Sequence, residues 1–308
     1  AARGMSDRTG LGPAEVALLD ALDLVGADVE SEPAPCSDVL LAVESLHGVA
    51  PATAWPLLVA RGVPWLVHLP LVDLVGNAGS QAGDPPAPPE HVGARLATLG
   101  ALALAAERGE IGPVPIGLVE GTLHRGGEVP PFDPELVVGA LLAGRDDAGP
   151  PSLPTGGTVE GELDALLRGE AARLVLGCTI VDEIDRLVIT EVPLGVTTTA
   201  VVDAVGARLR GYEQWVGGVP RRIRRHEAGA SVHDIRDESS ARFGLRLVID
   251  IERRTNVARV VDWLRTIDPV TIRVECRRPA PMPELLRTWD RGDGTGLRAL
   301  ADQLVPRF

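Results

Sequence analysis

The sequence predicts an α+β protein. Three observations carry this. Apolar residues recur at helical spacing through the first half, and short β-rich runs dominate the second. A Pro- and Gly-rich stretch, Gly149-Pro150-Pro151-Ser152 with Pro154, separates the two textures. A length of 308 residues is enough for two domains.

The elements follow in order. Val16, Leu18, Leu19, Leu22 and Val25 lie on one face of a helix over 13–25, with Pro13 in its first turn. Helices are also expected over 39–46 and 54–61. Trp65 to Leu69 is apolar and reads as a strand. Gly76 to Pro89 is a loop, because Pro85-Pro86 and Pro88-Pro89 forbid regular structure. Val92 to Glu107 reads as one long Ala/Leu helix. Beyond the linker, 173–180 and 186–192 read as strands and 197–210 as a helix with a Thr-rich N-cap region. Phe243 to Glu252 alternates as a strand does. A helix over 257–266 and a strand over 271–276 complete the series.

Composition sets bounds. The hydrophobic fraction is 45%, ample for real cores, and no uninterrupted apolar run is long enough for a transmembrane helix. Cys36, Cys178 and Cys276 are far apart, which argues for buried, reduced thiols rather than a zinc site or a disulfide framework. The formal net charge is -13, and all 30 basic side chains are arginine. That balance argues against strong general affinity for nucleic acid, although a local basic face can still bind it. A cytoplasmic location is expected. Met5 reads as a natural start, and Ala1 to Gly4 before it lack an apolar signal core and read as extraneous to the natural chain.

One segment dominates: Gly76-Asn77-Ala78-Gly79-Ser80-Gln81-Ala82-Gly83-Asp84-Pro85-Pro86-Ala87-Pro88-Pro89-Glu90-His91, followed by Arg95. Arg8-Thr9-Gly10-Leu11-Gly12-Pro13 precedes it, as does Leu71-Val72-Asp73. Later come Leu153-Pro154-Thr155-Gly156-Gly157, Val188-Ile189-Thr190-Glu191-Val192-Pro193 and Asp234-Ile235-Arg236-Asp237-Glu238-Ser239-Ser240. In this order and spacing the blocks resemble the A subunits of type IIA topoisomerases, DNA gyrase and topoisomerase IV. The resemblance implies a winged-helix domain over 5–148, a tower domain over 149–280 and a short helical remnant over 281–308. The family's coiled-coil gate and C-terminal β-pinwheel are expected to be missing. The ATPase and metal-binding half lies on another chain in that family, so neither cofactor nor metal is expected here.

The departures point away from the family's reaction. Strand cleavage needs a nucleophile and nearby cations to neutralise charge developing on phosphorus. Where the family carries Arg-Tyr, this sequence has Glu90-His91. A carboxylate–phosphate contact costs on the order of 4 kcal/mol at about 4 Å and an effective dielectric near 20. The single tyrosine, Tyr212, is far along the sequence. Of the family's two histidines in its H-P-H-G-D block, His47 alone has a counterpart. Ala52 and Pro56 occupy the quinolone-contacting positions, and Gly121-Thr122 the position of an intercalating wedge, which must be apolar and bulky. Arg8 and Arg95 match basic family positions. Glu15, Glu90 and His91 are therefore expected to form an acidic gate surface without catalytic residues, and His91 to be a solvent-exposed loop residue.

Two further groups stand out. Arg221, Arg222, Arg224 and Arg225 form the one dense basic cluster, where a tower would contact phosphates; a solvated hairpin is the plainer reading. Asp237-Glu238 beside Arg236 and Arg242 reads as an ion-pair network rather than a metal site. The expected function is a catalytically inactive, gyrase-A-like protein that acts by binding, as a homodimer or with a gyrase subunit. The alternatives are a DNA-binding architectural protein and a residual topoisomerase subunit.

Overall fold

The computed structural model describes residues 6–121, 130–210, 212–216, 219–223, 231–240, 242–276, 282–289 and 294–304. Arg224, Arg225 and Thr122 lie outside these residues. The fold is mixed α and β with antiparallel sheets, as the α+β prediction requires.

The first half comprises α1 (Pro13–Leu24), β1 (Ala34–Pro35), α2 (Cys36–His47), α3 (Pro51–Ala60), β2 (Val72–Val75), β3 (Gly93–Leu96), α4 (Thr98–Glu107), α5 (Ile116–Glu120) and α6 (Pro134–Leu142). The first three helices fall where periodicity places them. Two expectations fail here. Trp65–Leu69 is a turn, not a strand. Pro64 and Pro70 bracket it, and the N–H groups of His68 and Leu69 go to the Glu120 carboxylate rather than to a sheet partner. The segment 92–107 is a strand followed by a helix. Val72 pairs with Leu96 and Val75 with Gly93, so β3 lies between β1 and β2. Extended Ala97 then starts α4. Ala and Leu satisfy either period over so short a run.

A core unites these elements through Leu18, Leu22, Val39, Val43, Leu58, Leu96 and Leu104. It also includes Leu286 of α10 (Met282–Trp289) and Leu300 and Leu304 of α11 (Thr295–Leu304). The C-terminal helices thus close the core that the N-terminal helices begin. Gly296 permits this, since a Cβ there would meet the Gly112 carbonyl oxygen at 2.1 Å.

The second half comprises β4 (Thr158–Gly161), α7 (Leu163–Leu167), β5 (Ala172–Gly177), β6 (Thr179–Asp182), β7 (Arg186–Glu191), α8 (Thr198–Arg210), β8 (Tyr212–Val216), β9 (Val219–Ile223), β10 (Val232–Asp237), β11 (Leu247–Ile251), α9 (Val257–Leu264) and β12 (Thr271–Cys276). The sheets run β10-β11-β7-β6, β12-β5-β4 and β8-β9. Leu187, Ile189, Leu247 and Ile249 pack with Val201 and Val205 of α8 and Val260 and Leu264 of α9. Thr197 caps α8 as expected, accepting the Ala200 N–H at 3.2 Å.

The strand expected from Phe243 begins only at Leu247. Phe243 sits in a turn, 63% exposed, and donates its N–H to the Ser240 carbonyl. The ion-pair expectation holds for Glu238 and Arg236 but not for Asp237, whose carboxylate accepts the Thr198 hydroxyl at 2.9 Å and the Ser239 N–H at 2.8 Å. Arg236 reaches Glu238 at 2.7 Å and also Asp250, while Arg246 reaches Glu183 at 2.6 Å and Glu238 at 3.6 Å. Arg242 lies instead over the Phe243 ring, 5.1 Å from its centroid. All three cysteines are free and buried, and burial pushes the Cys36 and Cys178 thiols up to about 12. Neither is a nucleophile at neutral pH.

The packing of α11 is directly testable. Leu300 is fully buried. Leu300→Ala is expected to destabilise the protein by about 2–5 kcal/mol in urea unfolding, because the cavity opens inside the shared core. A loss below about 0.5 kcal/mol, the ordinary range for surface changes, would place α11 outside that core.

Candidate functional site

The glycine-rich loop between β2 and β3 is built by its own short polar residues. Asn77 accepts the Gly79 N–H at 2.9 Å through its side chain. Ser80 donates its hydroxyl to Asp84 at 2.6 Å, and the Ala87 N–H returns to the Asn77 carbonyl at 2.9 Å. Gly76 has φ +112, and a Cβ there would lie 2.9 Å from the His91 carbonyl oxygen. Only glycine closes the loop over that carbonyl.

The loop then ends in a 3-10 turn, Pro89–His91, in which the His91 N–H returns to the Pro88 carbonyl at 2.9 Å. Glu90 and His91 are both exposed, His91 as expected. Neither side chain has a hydrogen bond or ion pair among the described residues.

The loop also docks on the second half. The Thr198 N–H, at the start of α8, donates to the Gln81 carbonyl at 3.1 Å. Gly83 lies against Thr197, where a Cβ would stand 3.2 Å from the Thr197 methyl. This contact gives no signal in the sequence, since it joins a loop carbonyl to a backbone N–H more than a hundred residues away.

The other predicted site residues do not gather around this turn. The turn meets the start of α2, where the Cys36 N–H donates to the Val92 carbonyl at 2.8 Å. His47 ends the same helix, about 16 Å further along at about 1.5 Å per residue. It lies 3.7 Å from Asp20, which Arg108 also approaches at 3.6 Å. Arg8 is held inside the fold, donating to the Ala106 carbonyl and, at 3.0 Å, to the Ile111 carbonyl. Arg95 spans Asp73 at 3.3 Å and the Ser31 carbonyl at 3.2 Å.

Arg221 and Arg222 lie on β9 opposite Gln214 and Glu213. Tyr212, on β8, follows α8, whose length of about 18 Å runs from the docked loop toward that strand. Gly121 ends α5 with φ +57, a conformation suited to glycine. No group of three or more His, Cys, Asp or Glu side chains able to hold a metal ion occurs among the described residues. No helix among them is long and apolar enough to cross a membrane.

Glu15 requires a correction. It is not part of an exposed acidic surface but is 2% exposed, bonded to the equally buried Arg61. Its other carboxylate oxygen accepts the Gly12 N–H at 2.6 Å. Glu120, also 2% exposed, accepts the Leu69 N–H at 2.7 Å and the His68 N–H at 3.2 Å. Sequence reading missed this buried group. Its one visible signal is a set of isolated charges inside otherwise apolar runs, such as Glu120 after Ile116-Gly117-Leu118-Val119.

No family model matches the chain. It is 27% identical over 260 residues to the DNA gyrase A subunit of Mycobacterium bovis, covering 70% of this chain and 29% of that protein. It is 28% identical over 252 residues to the DNA gyrase A subunit of Aminobacterium colombiense, covering 68% and 29%. Against the Mycolicibacterium smegmatis protein of the same name it is 24% identical over 299 residues, covering 82% and 33%. These likenesses support a distant gyrase-A-like relationship. The chain spans a third or less of the length of these relatives.

The loop geometry yields a prediction. Gly76→Ala forces a side chain into a positive φ and against a carbonyl, which is expected to cost about 1–3 kcal/mol. The Ala87 amide should then exchange faster with solvent, because its bond to Asn77 spans the same loop. Unchanged protection at Ala87 would contradict the role assigned to Gly76.

Proposed function

We propose that this chain is a gyrase-A-like binding protein that does not cleave DNA. It acts as a homodimer or on a gyrase subunit, as a modulator or decoy. In this reading residues 5–148 form a winged-helix region, 149–280 a tower region and 281–308 a short helical segment that packs on the first core. The observation that carries the proposal is the turn Pro89–His91. It presents a carboxylate and an imidazole where the resemblance calls for a cation and a phenol.

Charge supports this reading. Phosphoryl chemistry requires positive charge where negative charge develops. Glu90 supplies the opposite sign, and the two matched cations, Arg8 and Arg95, already serve backbone carbonyls or Asp73. The net charge of -13 opposes the approach of duplex DNA, which favours a protein partner.

Two experiments test the proposal. With a gyrase B subunit, Mg²⁺ and supercoiled plasmid, no covalent protein–DNA adduct is expected on denaturation, and none is gained or lost in His91→Ala. An adduct that disappears in that variant would establish cleavage and end the proposal. Solution mass measurements and pull-down against gyrase subunits are expected to give self-association or a gyrase complex at micromolar concentration. A protein that stays monomeric, ignores both gyrase subunits and binds duplex DNA with steep salt dependence would favour the DNA-binding alternative.

A further inference from the structure

We infer that Glu15, Arg61 and Glu120 form a proton-binding cluster inside the first core, in which folding places one proton on Glu120 and so ties the stability of this core to pH. The inference rests on charge count and burial. Each of the three residues is 2% exposed. Two carboxylates face one guanidinium, so the fully ionised cluster holds an unbalanced negative charge among the described residues. An uncompensated buried charge is far costlier than a neutral acid, and one proton removes it.

Geometry selects the carboxylate that takes the proton. Glu15 is bonded directly to Arg61 Nη2 and accepts the Gly12 N–H. Both contacts favour its ionised form. Arg61 offers Glu120 no direct bond; its Nε and Nη1 are buried without a hydrogen-bond partner among the described residues. Glu120 relies instead on the neutral N–H groups of Leu69 and His68.

The surroundings add no second cation among the charges acting on Glu120. Glu15 comes from α1, and Arg61 directly follows α3. The His68 ring, on the turn between α3 and β2, meets the Ser152 carbonyl at 3.1 Å. Burial is the main influence and pushes the Glu120 carboxyl up to about 7, helped by the charge of Glu15 and opposed by Arg61 and the two N–H groups.

The direction of the pH effect follows. The folded protein holds a proton that the unfolded chain releases near 4.5. Stability from this group is therefore complete below pH 4.5, falls as pH rises, and is gone above about pH 7. The test is urea unfolding of the full chain between pH 5 and 8, for the native sequence, Glu120→Gln and Glu15→Gln.

The native protein should lose stability relative to Glu120→Gln as pH rises, by on the order of 100-fold in the folding equilibrium. Parallel profiles for the two would overturn the inference. Glu15→Gln frees Arg61 for Glu120 and removes a repulsive charge, so the transition should move to lower pH; an unmoved transition would also overturn it. Carbon-13 NMR of glutamate-labelled native protein provides a measurement that needs no variant. One carboxyl should titrate well above the rest, and its absence would overturn the assignment.

Discussion

The attachment of the turn 64–70 to Glu120 determines where the rest of the site stands. Two backbone N–H groups that a strand would give to a neighbour are given to a buried carboxylate. The chain bends there and enters β2 at Val72, and β2 with β3 forms the two stalks of the glycine-rich loop. The position of Glu90 and His91 thus traces back to a glutamate nearly thirty residues further along. That glutamate is itself buried and accepts one of the two N–H groups on each carboxylate oxygen.

Much of the fold was legible because its signals are local. Helices α1, α2, α3, α8 and α9 follow from apolar spacing and, for α8, from the Thr197 cap; the Asn256 cap of α9 emerges only in the structure. The failures share a cause in tertiary hydrogen bonding. Trp65–Leu69 has strand composition but lacks a strand partner, and Gly93–Leu96 has helix composition but gains strand partners on both sides. At the site, the exposed turn and the histidine on it were legible from proline placement. The dock on α8 and the buried Glu15–Arg61–Glu120 group were not, since neither pairing leaves a spacing rule in the sequence.

The arginines show why basic content is a poor guide to a nucleic-acid surface in this chain. Arg8 binds backbone carbonyls, Arg61 is enclosed in the core, and Arg95 bridges Asp73 and Ser31. Arg236 and Arg246 link Glu183, Glu238 and Asp250 into one chain of alternating charge along the β10-β11-β7-β6 sheet. Pairs this exposed add little stability each. Two arginines against three carboxylates leave the network negative, so Arg236 and Arg246 present phosphate with no net attraction.

The glycine-rich loop and the turn that ends it are shaped by different residues. The residues that shape the loop are Gly76, Asn77, Gly79, Ser80, Gly83 and Asp84, through positive φ angles and short polar hydrogen bonds. Glu90 and His91 contribute no side-chain bond to it among the described residues. The loop's backbone and its chemistry are thus set by different residues, and the second can change while the first persists. The part of the resemblance that falls in Gly76 to Pro86 therefore reports the backbone path. The reaction has to be judged from the two side chains that the path displays.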